Sequence, residues 1–132
     1  MARLELHPLT GTKRAGRLAA LVESLYQSRK RIVVWVADEG RRQILDDYLW
    51  TFRQLAFVPH AVWTPGMAAE MEEPVVLVGH PGNPNRAEVL VVGDDLPPFD
   101  WAAAFAEIHD LIPPGAEGEE RSRRWHEALE NR

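Results

Sequence analysis

A chain of 132 residues with a 45% apolar fraction is long enough to bury one ordinary core, and it predicts a single domain over residues 1–132. The absence of cysteine excludes thiolate chemistry. No apolar segment follows the basic start and no apolar run approaches ~18 residues, so neither a signal peptide nor a membrane span is expected. These features favour the cytoplasm. A net charge of −5 argues against direct DNA binding, because neutralising phosphates requires clustered lysine and arginine.

The first half of the chain predicts strands and helices in alternation. Residues 3–7 alternate polar and apolar side chains, as a half-buried strand does. Residues 13–28 carry the spacing of an amphipathic helix, with Thr12 as its expected N-cap. Residues 31–37 form a β-branched run typical of a strand buried on both faces of a parallel sheet. A second helix is expected after this strand, as far as about Trp50.

The second half continues the alternation. Short apolar runs predict strands at residues 58–63, 75–78 and 88–93. A helix capped by Asp100 is predicted over residues 101–111, because Trp101, Phe105, Ile108 and Ile112 would share one of its faces. A charged closing helix is expected at residues 119–129. The pattern as a whole predicts an α/β, three-layer, Rossmann-like architecture whose sheet is mostly parallel and carries helices on both faces.

The motifs of common enzymes are missing from the sequence. It has no GxGxxG motif, no GxxxxGK[ST] phosphate loop and no GxSxG elbow. No histidine lies three or four residues from another, and cysteine is absent, so a zinc site is not expected. His7 and His109 are expected at the surface or at the edge of the core, with a catalytic role as the alternative. The neighbouring Asp46 and Asp47 would not face each other on a helix. We therefore expect no catalytic residue, no metal and no cofactor.

Residues 44–60, ILDDYLWTFRQLAFVPH, are similar to the signature of the DNA polymerase III chi subunit family. The matching positions are Leu45-Asp46, Leu49-Trp50 and Phe57-Val58-Pro59-His60. The weaker resemblance of the flanking elements extends over nearly the whole chain. It implies a non-catalytic accessory subunit of the DNA polymerase III clamp-loader complex, which acts in DNA replication and contacts DNA only indirectly.

The end of the second helix is a candidate protein interface. The apolar seam formed by Ile44, Leu45, Tyr48 and Leu49 leaves Trp50 on nearly the opposite side of the helix. Exposed aromatic side chains of this kind are typical of interface hot spots. The alternative is that the chain folds back and buries these rings. The resemblance implies that this region binds the psi subunit of the clamp loader, through Trp50, Phe52, Phe57, Pro59 and His60.

The closing helix is the second candidate interface. The resemblance implies that it binds the acidic C-terminal tail of single-stranded DNA-binding protein, through Arg121, Arg123, Arg124, Trp125 and His126. The arginines would pair with carboxylates, and Trp125 would form one wall of an apolar pocket for the terminal ring of the tail. The alternative is an ordinary charged helix in which Trp125 packs on the sheet and ion pairs such as Glu120–Arg124 and Arg123–Glu127 form on the surface.

Two further classes of function stay open. A Rossmann-like enzyme domain that binds an unidentified small ligand would have a concave pocket, lined by converging polar groups, at the carboxyl ends of its strands. A non-catalytic accessory subunit that links two proteins would instead have exposed aromatic side chains and no such pocket. A protein that binds DNA directly would show a steep salt dependence, which the acidic composition argues against.

Overall fold

The structure is a computed structural model that describes residues 2–10, 13–51, 58–67 and 70–130. Within these ranges the strands are β1 (Arg3–Pro8), β2 (Ile32–Trp35), β3 (His60–Trp63), β4 (Val75–Val78), β5 (Val89–Val92) and β6 (Glu107–Ile112). The helices are α1 (Arg14–Gln27), α2 (Glu39–Thr51), α3 (Phe99–Ala102) and α4 (Ala116–Glu130). Across the same ranges, no helix combines the length and the apolarity that crossing a bilayer requires.

All six strands belong to one sheet in the order β1-β6-β5-β2-β4-β3, and each neighbouring pair is parallel. A parallel pair needs a crossover connection, and here α1, α2 and α3 lie in such connections. The central strand β2 is buried along its whole length between β4 and β5. The predicted α/β, Rossmann-like architecture is confirmed.

The core consists of two apolar layers, one on each face of the sheet. Alternate side chains of β2 enter opposite layers, Val34 with α1 and α2 and Val33 with Trp125 of α4. Burying each large apolar side chain contributes roughly 1.5–3 kcal/mol before the entropy of ordering is subtracted. Helices therefore cover both faces, as the three-layer prediction requires.

The helix predicted over residues 101–111 is wrong. Helix α3 ends at Ala102, and residues 107–112 form β6, which pairs with both β1 and β5. Along β6 the side chains alternate between the two layers, with Ile108 in one and Leu111 in the other. The helical spacing in the sequence was coincidental, because pairing with two neighbouring strands outweighs a local helical pattern.

The start of α1 also differs from the prediction. The helix begins at Arg14, and Lys13 occupies the N-cap position without a side-chain hydrogen bond to the helix. Thr12, the predicted cap, lies outside the described residues. The remaining predicted elements are observed with ends shifted by a few residues, as is usual for boundaries read from a sequence.

Candidate protein interaction surfaces

The last turn of α2 presents a tryptophan to solvent. Leu45 and Leu49 are buried against the sheet, whereas 53% of Trp50 and 61% of Ile44 are exposed. The predicted orientation of Trp50, on the side of the helix away from the seam, is confirmed. Ile44 was expected in the seam and is instead at the surface, because the buried side of α2 is narrow. Ile44 borders a cleft beside α1, whereas Trp50 presents an exposed ring of the kind that protein partners bind.

His60 packs against the Trp50 ring from the side of the sheet. It is buried at the start of β3, and its Nδ1 lies 2.8 Å from the carbonyl oxygen of Val58. Its Nε2 lies 3.0 Å from Oδ1 of Asp46 on α2, and its ring centroid is 4.4 Å from that of Trp50. His60 therefore joins the end of α2 to the sheet and backs the Trp50 ring. It does not itself offer an exposed surface to a partner.

The other predicted members of this surface are only partly described. Pro59 is half-buried next to His60. Phe52 and Phe57 lie outside the described residues. The described part of the predicted psi-binding set is therefore one exposed ring, one half-buried proline and one buried histidine.

Trp125 on α4 is fully buried. Its Nε1 donates a 2.7 Å hydrogen bond to Oδ2 of Asp110, and its ring meets Phe99 edge to face with centroids 5.1 Å apart. The expectation that Trp125 forms a pocket wall for a ligand is therefore wrong, because packing on the sheet removes the ring from solvent. The alternative in which α4 packs its tryptophan on the sheet is the observed one.

Arg121 is also committed to the interior of the protein. Its Nε and Nη2 donate hydrogen bonds of 2.6 and 3.0 Å to the two carboxylate oxygens of Asp110, and Nη2 also donates to the carbonyl of Asp94. Burial raises the pKa of Asp110, against the opposing effect of the hydrogen bonds from Arg121 and Trp125. Removing Arg121 would leave a buried carboxylate without its counter-ion. Its first role is therefore structural.

Arg123, Arg124 and His126 are exposed on the outer side of α4. Arg123 donates to Glu120 at 2.6 and 2.9 Å and to Glu127 at 2.5 Å, so the predicted Arg123–Glu127 pair is present while Glu120 pairs with Arg123. The guanidinium of Arg124 lies 5.7 Å from the centre of the Phe99 ring. Exposed ion pairs contribute little to stability, so these groups can exchange their partners for the carboxylates of a ligand.

A shallow groove of about 480 Å³ runs between α4 and the connection that precedes it. Its sides are formed by Ile112, Pro113, Gly115, Gly118, Glu119, Ser122, Arg123 and His126. It combines half-buried apolar side chains with Arg123 and His126 and with one carboxylate, Glu119; an apolar group next to a negative charge would fit beside Arg123, away from Glu119. The sequence patterns pointed to Arg123 and His126 but missed Ile112 and Pro113, because those residues were assigned to the end of a helix. Gly118, directly before the predicted closing helix, was the signal in the sequence that another part of the backbone passes close to the helix there.

A second cleft, of about 200 Å³, lies at the carboxyl ends of β2 and β5, where the enzyme alternative places its pocket. It is lined by Arg14, Ala15, Leu18, Val36, Arg41, Ile44, Leu45 and Gly93. None of these described lining residues is a carboxylate, a histidine or a hydroxyl, so the cleft contains no acid–base pair. Burial lowers the pKa of Arg14, whose Nε donates to the carbonyl of Gly93. The polar side chains in this lining are those of Arg14 and Arg41, so the cleft offers two cations beside an apolar floor.

Comparison with known proteins agrees with the fold and extends it. A solved structure described as the Sulfolobus solfataricus SWI2/SNF2 ATPase C-terminal domain superposes with a TM-score of 0.55 at 13% identity, covering 83% of this chain and 54% of that one. At this identity the likeness shows a shared fold alone.

Sequence relatives are more specific. The DNA polymerase III subunit chi of Pseudomonas aeruginosa is 27% identical over 115 residues, covering 85% of this chain and 78% of that protein. The probable DNA polymerase III subunit chi of Rickettsia prowazekii is 31% identical over 72 residues, covering 54% of this chain and 42% of that protein. The family model described as DNA polymerase III chi subunit, HolC, matches residues 1–132. The chain therefore belongs to the DNA polymerase III chi subunit family.

Proposed function

We propose that this protein is a non-catalytic, cytoplasmic subunit of the clamp-loader complex that links the psi subunit to the acidic C-terminal tail of single-stranded DNA-binding protein. The observation that carries the proposal is the exposure of Trp50 at the end of α2. Burying a tryptophan would stabilise a free-standing domain, whereas an exposed tryptophan suits a protein partner. The acidic composition supports an indirect contact with DNA.

The psi subunit is proposed to bind the surface that begins at Trp50. The exposed side chain of Trp50 would form its described centre, with Phe52, Phe57 and Pro59 continuing along the chain. His60 would act by holding α2 against β3, through its contact with Asp46. A rigid aromatic ring with a braced backbone loses little entropy when a partner covers it, which is why such residues dominate interface energies.

The acidic tail is proposed to bind the groove beside α4. Arg123 and His126 line this groove and would face its carboxylates, while Ile112 and Pro113 would contact its apolar end. Arg124 lines a separate cleft with Leu96 and Arg121, and it would contribute where the tail extends to that side of α4. Compared with the set predicted from the sequence, Trp125 is removed from the binding surface and Arg121 is assigned to the support of Asp110. The groove is open, so we expect a moderate affinity that depends on salt.

The test is a binding experiment with both partners and with variants that separate the two surfaces. Trp50→Ala should reduce psi binding by at least about tenfold, the scale of a hot-spot residue, and leave tail binding unchanged. Gln27→Ala, a change at an exposed residue of α1, is the control. Arg123→Ala should weaken tail binding without affecting psi. Equal retention of intact single-stranded DNA-binding protein and of a form lacking its last residues would refute tail capture.

A further inference from the structure

The edge strand β1 and its neighbour β6 bring two histidines and a carboxylate together. In the parallel register Glu5 lies opposite His109, and His7 lies two residues further along β1, so all three side chains project from the same face of the sheet. Nε2 of His7 is 2.8 Å from Nδ1 of His109, which is 3.3 Å from Oε2 of Glu5. One ligand atom from each residue lies within 4.8 Å of the others.

The His7 and His109 rings are nearly parallel, with planes inclined by 10° and centroids 5.1 Å apart. Their facing nitrogens are within hydrogen-bond distance, so one nitrogen donates a proton to the lone pair of the other, and a metal ion would take the place of that proton. His109 is 3% exposed, whereas the side chain of Glu5 is 40% exposed and His7 is half-buried. The cluster therefore has a rigid, buried side and an open side through which an ion can enter.

The far side of His109 is held by a carboxylate. Its Nε2 lies 2.7 Å from Oε2 of Glu107, and Glu107 is in turn paired with Lys30 at 3.0 Å and with Arg3. This contact assigns the ring proton to Nε2 and leaves the Nδ1 lone pair directed at His7 and Glu5. A histidine whose second nitrogen donates to a carboxylate is the usual support of a metal ligand.

From this arrangement we propose that Glu5, His7 and His109 bind a divalent transition-metal ion of the zinc class. Two imidazoles and one carboxylate suit such an ion and leave a fourth position for water or for a partner's side chain. Ligand atoms around a tetrahedral ion at ~2.0–2.1 Å are roughly 3.3 Å apart, so the 2.8 Å separation of the two histidine nitrogens must open by about 0.5 Å. The 3.6 Å ion pair between Arg3 and Glu5 is exposed and would be replaced with little loss.

The test is a titration of the whole protein with Co²⁺, followed by visible absorption and calorimetry and then by competition with Zn²⁺. Binding should be one-to-one with a tetrahedral spectrum. His7→Gln and Glu5→Gln should each weaken it by at least about tenfold, the scale seen when a metal site loses part of its support. The control is His80→Gln, because His80 is exposed after β4, at the other end of the strand order from β1.

Glu107→Gln separates a positioning role from a ligand role. It should weaken Co²⁺ binding by roughly 10–100-fold while keeping the same one-to-one stoichiometry and tetrahedral spectrum. Circular dichroism of each variant without metal checks that the fold is kept, and Glu5→Gln is the change at the most exposed of the three ligands. Equal Co²⁺ affinity in wild type, His7→Gln and Glu5→Gln, or no saturable binding up to about 1 mM, would overturn the proposal.

Discussion

Gly118 offers a test in which packing and helix propensity predict opposite signs. It is buried near the start of α4, where the helix passes close to the preceding connection. A Cβ atom added there would lie 1.7 Å from the carbonyl oxygen of Pro113 and 2.9 Å from Cγ2 of Ile112. On helix propensity alone, Gly118→Ala would stabilise α4 by about 1 kcal/mol. The close approach predicts that it destabilises the protein.

The size of the effect follows from the contact with Pro113. Carbon and neighbouring heavy atoms pack at about 3.5 Å, so α4 would have to move by more than 1 Å against a backbone carbonyl that cannot rotate away. Overpacking of a core typically costs about 1–3 kcal/mol, and we take about 3 kcal/mol for a contact this close. The gain in helix propensity, about 1 kcal/mol, offsets part of that cost. The expected net loss is about 2 kcal/mol, or roughly 7 °C in Tm for a chain of this length.

Urea unfolding followed by tryptophan fluorescence and circular dichroism would measure this loss as a lower midpoint at an unchanged slope. Gly66→Ala is the matched control, because no atom of the described residues lies within 4 Å of the Cβ position at Gly66. The stability of this variant should stay the same or rise slightly. The same displacement of α4 would narrow the groove beside Ile112, so tail binding should weaken in Gly118→Ala. A Gly118→Ala protein as stable as wild type would refute the packing argument.

Three further predictions concern α4. Trp125→Phe removes the donor to Oδ2 of the buried Asp110 and should lower the free energy of unfolding by about 1–3 kcal/mol in urea melts; no change would mean that this hydrogen bond is not formed. Arg121→Ala should lower the free energy of unfolding by about 3–5 kcal/mol, because it leaves Asp110 without its ion-pair partner. Arg123→Ala, at an exposed ion pair, should leave thermal stability unaltered. Similar losses from both variants would contradict the roles assigned to the two arginines. His126→Ala should weaken the binding of an acidic tail peptide, because it removes a side chain that lines the groove; equal affinities of wild type and variant by calorimetry would remove His126 from the site.

Local pattern was enough to predict much of this protein. The β-branched run of β2 predicted a strand buried on both faces, because few polar side chains break it and a parallel sheet covers both sides. The spacing around Leu45 and Leu49 predicted that Trp50 would face away from the core, because side-chain direction along a helix follows from position alone. Family membership was also readable from the segment that contains these residues.

Tertiary structure decided what local pattern could not. Residues 107–112 pair with strands on both sides, and hydrogen bonds to two neighbours override a helical period. The sheet then brings Asp110 beneath α4, so Trp125 turns inward to satisfy a buried carboxylate instead of meeting a ligand. His7 and His109 are 102 positions apart and meet only because β6 pairs with β1 at the edge of the sheet. Contacts between residues distant in sequence depend on strand order, and no pattern within one segment encodes that order.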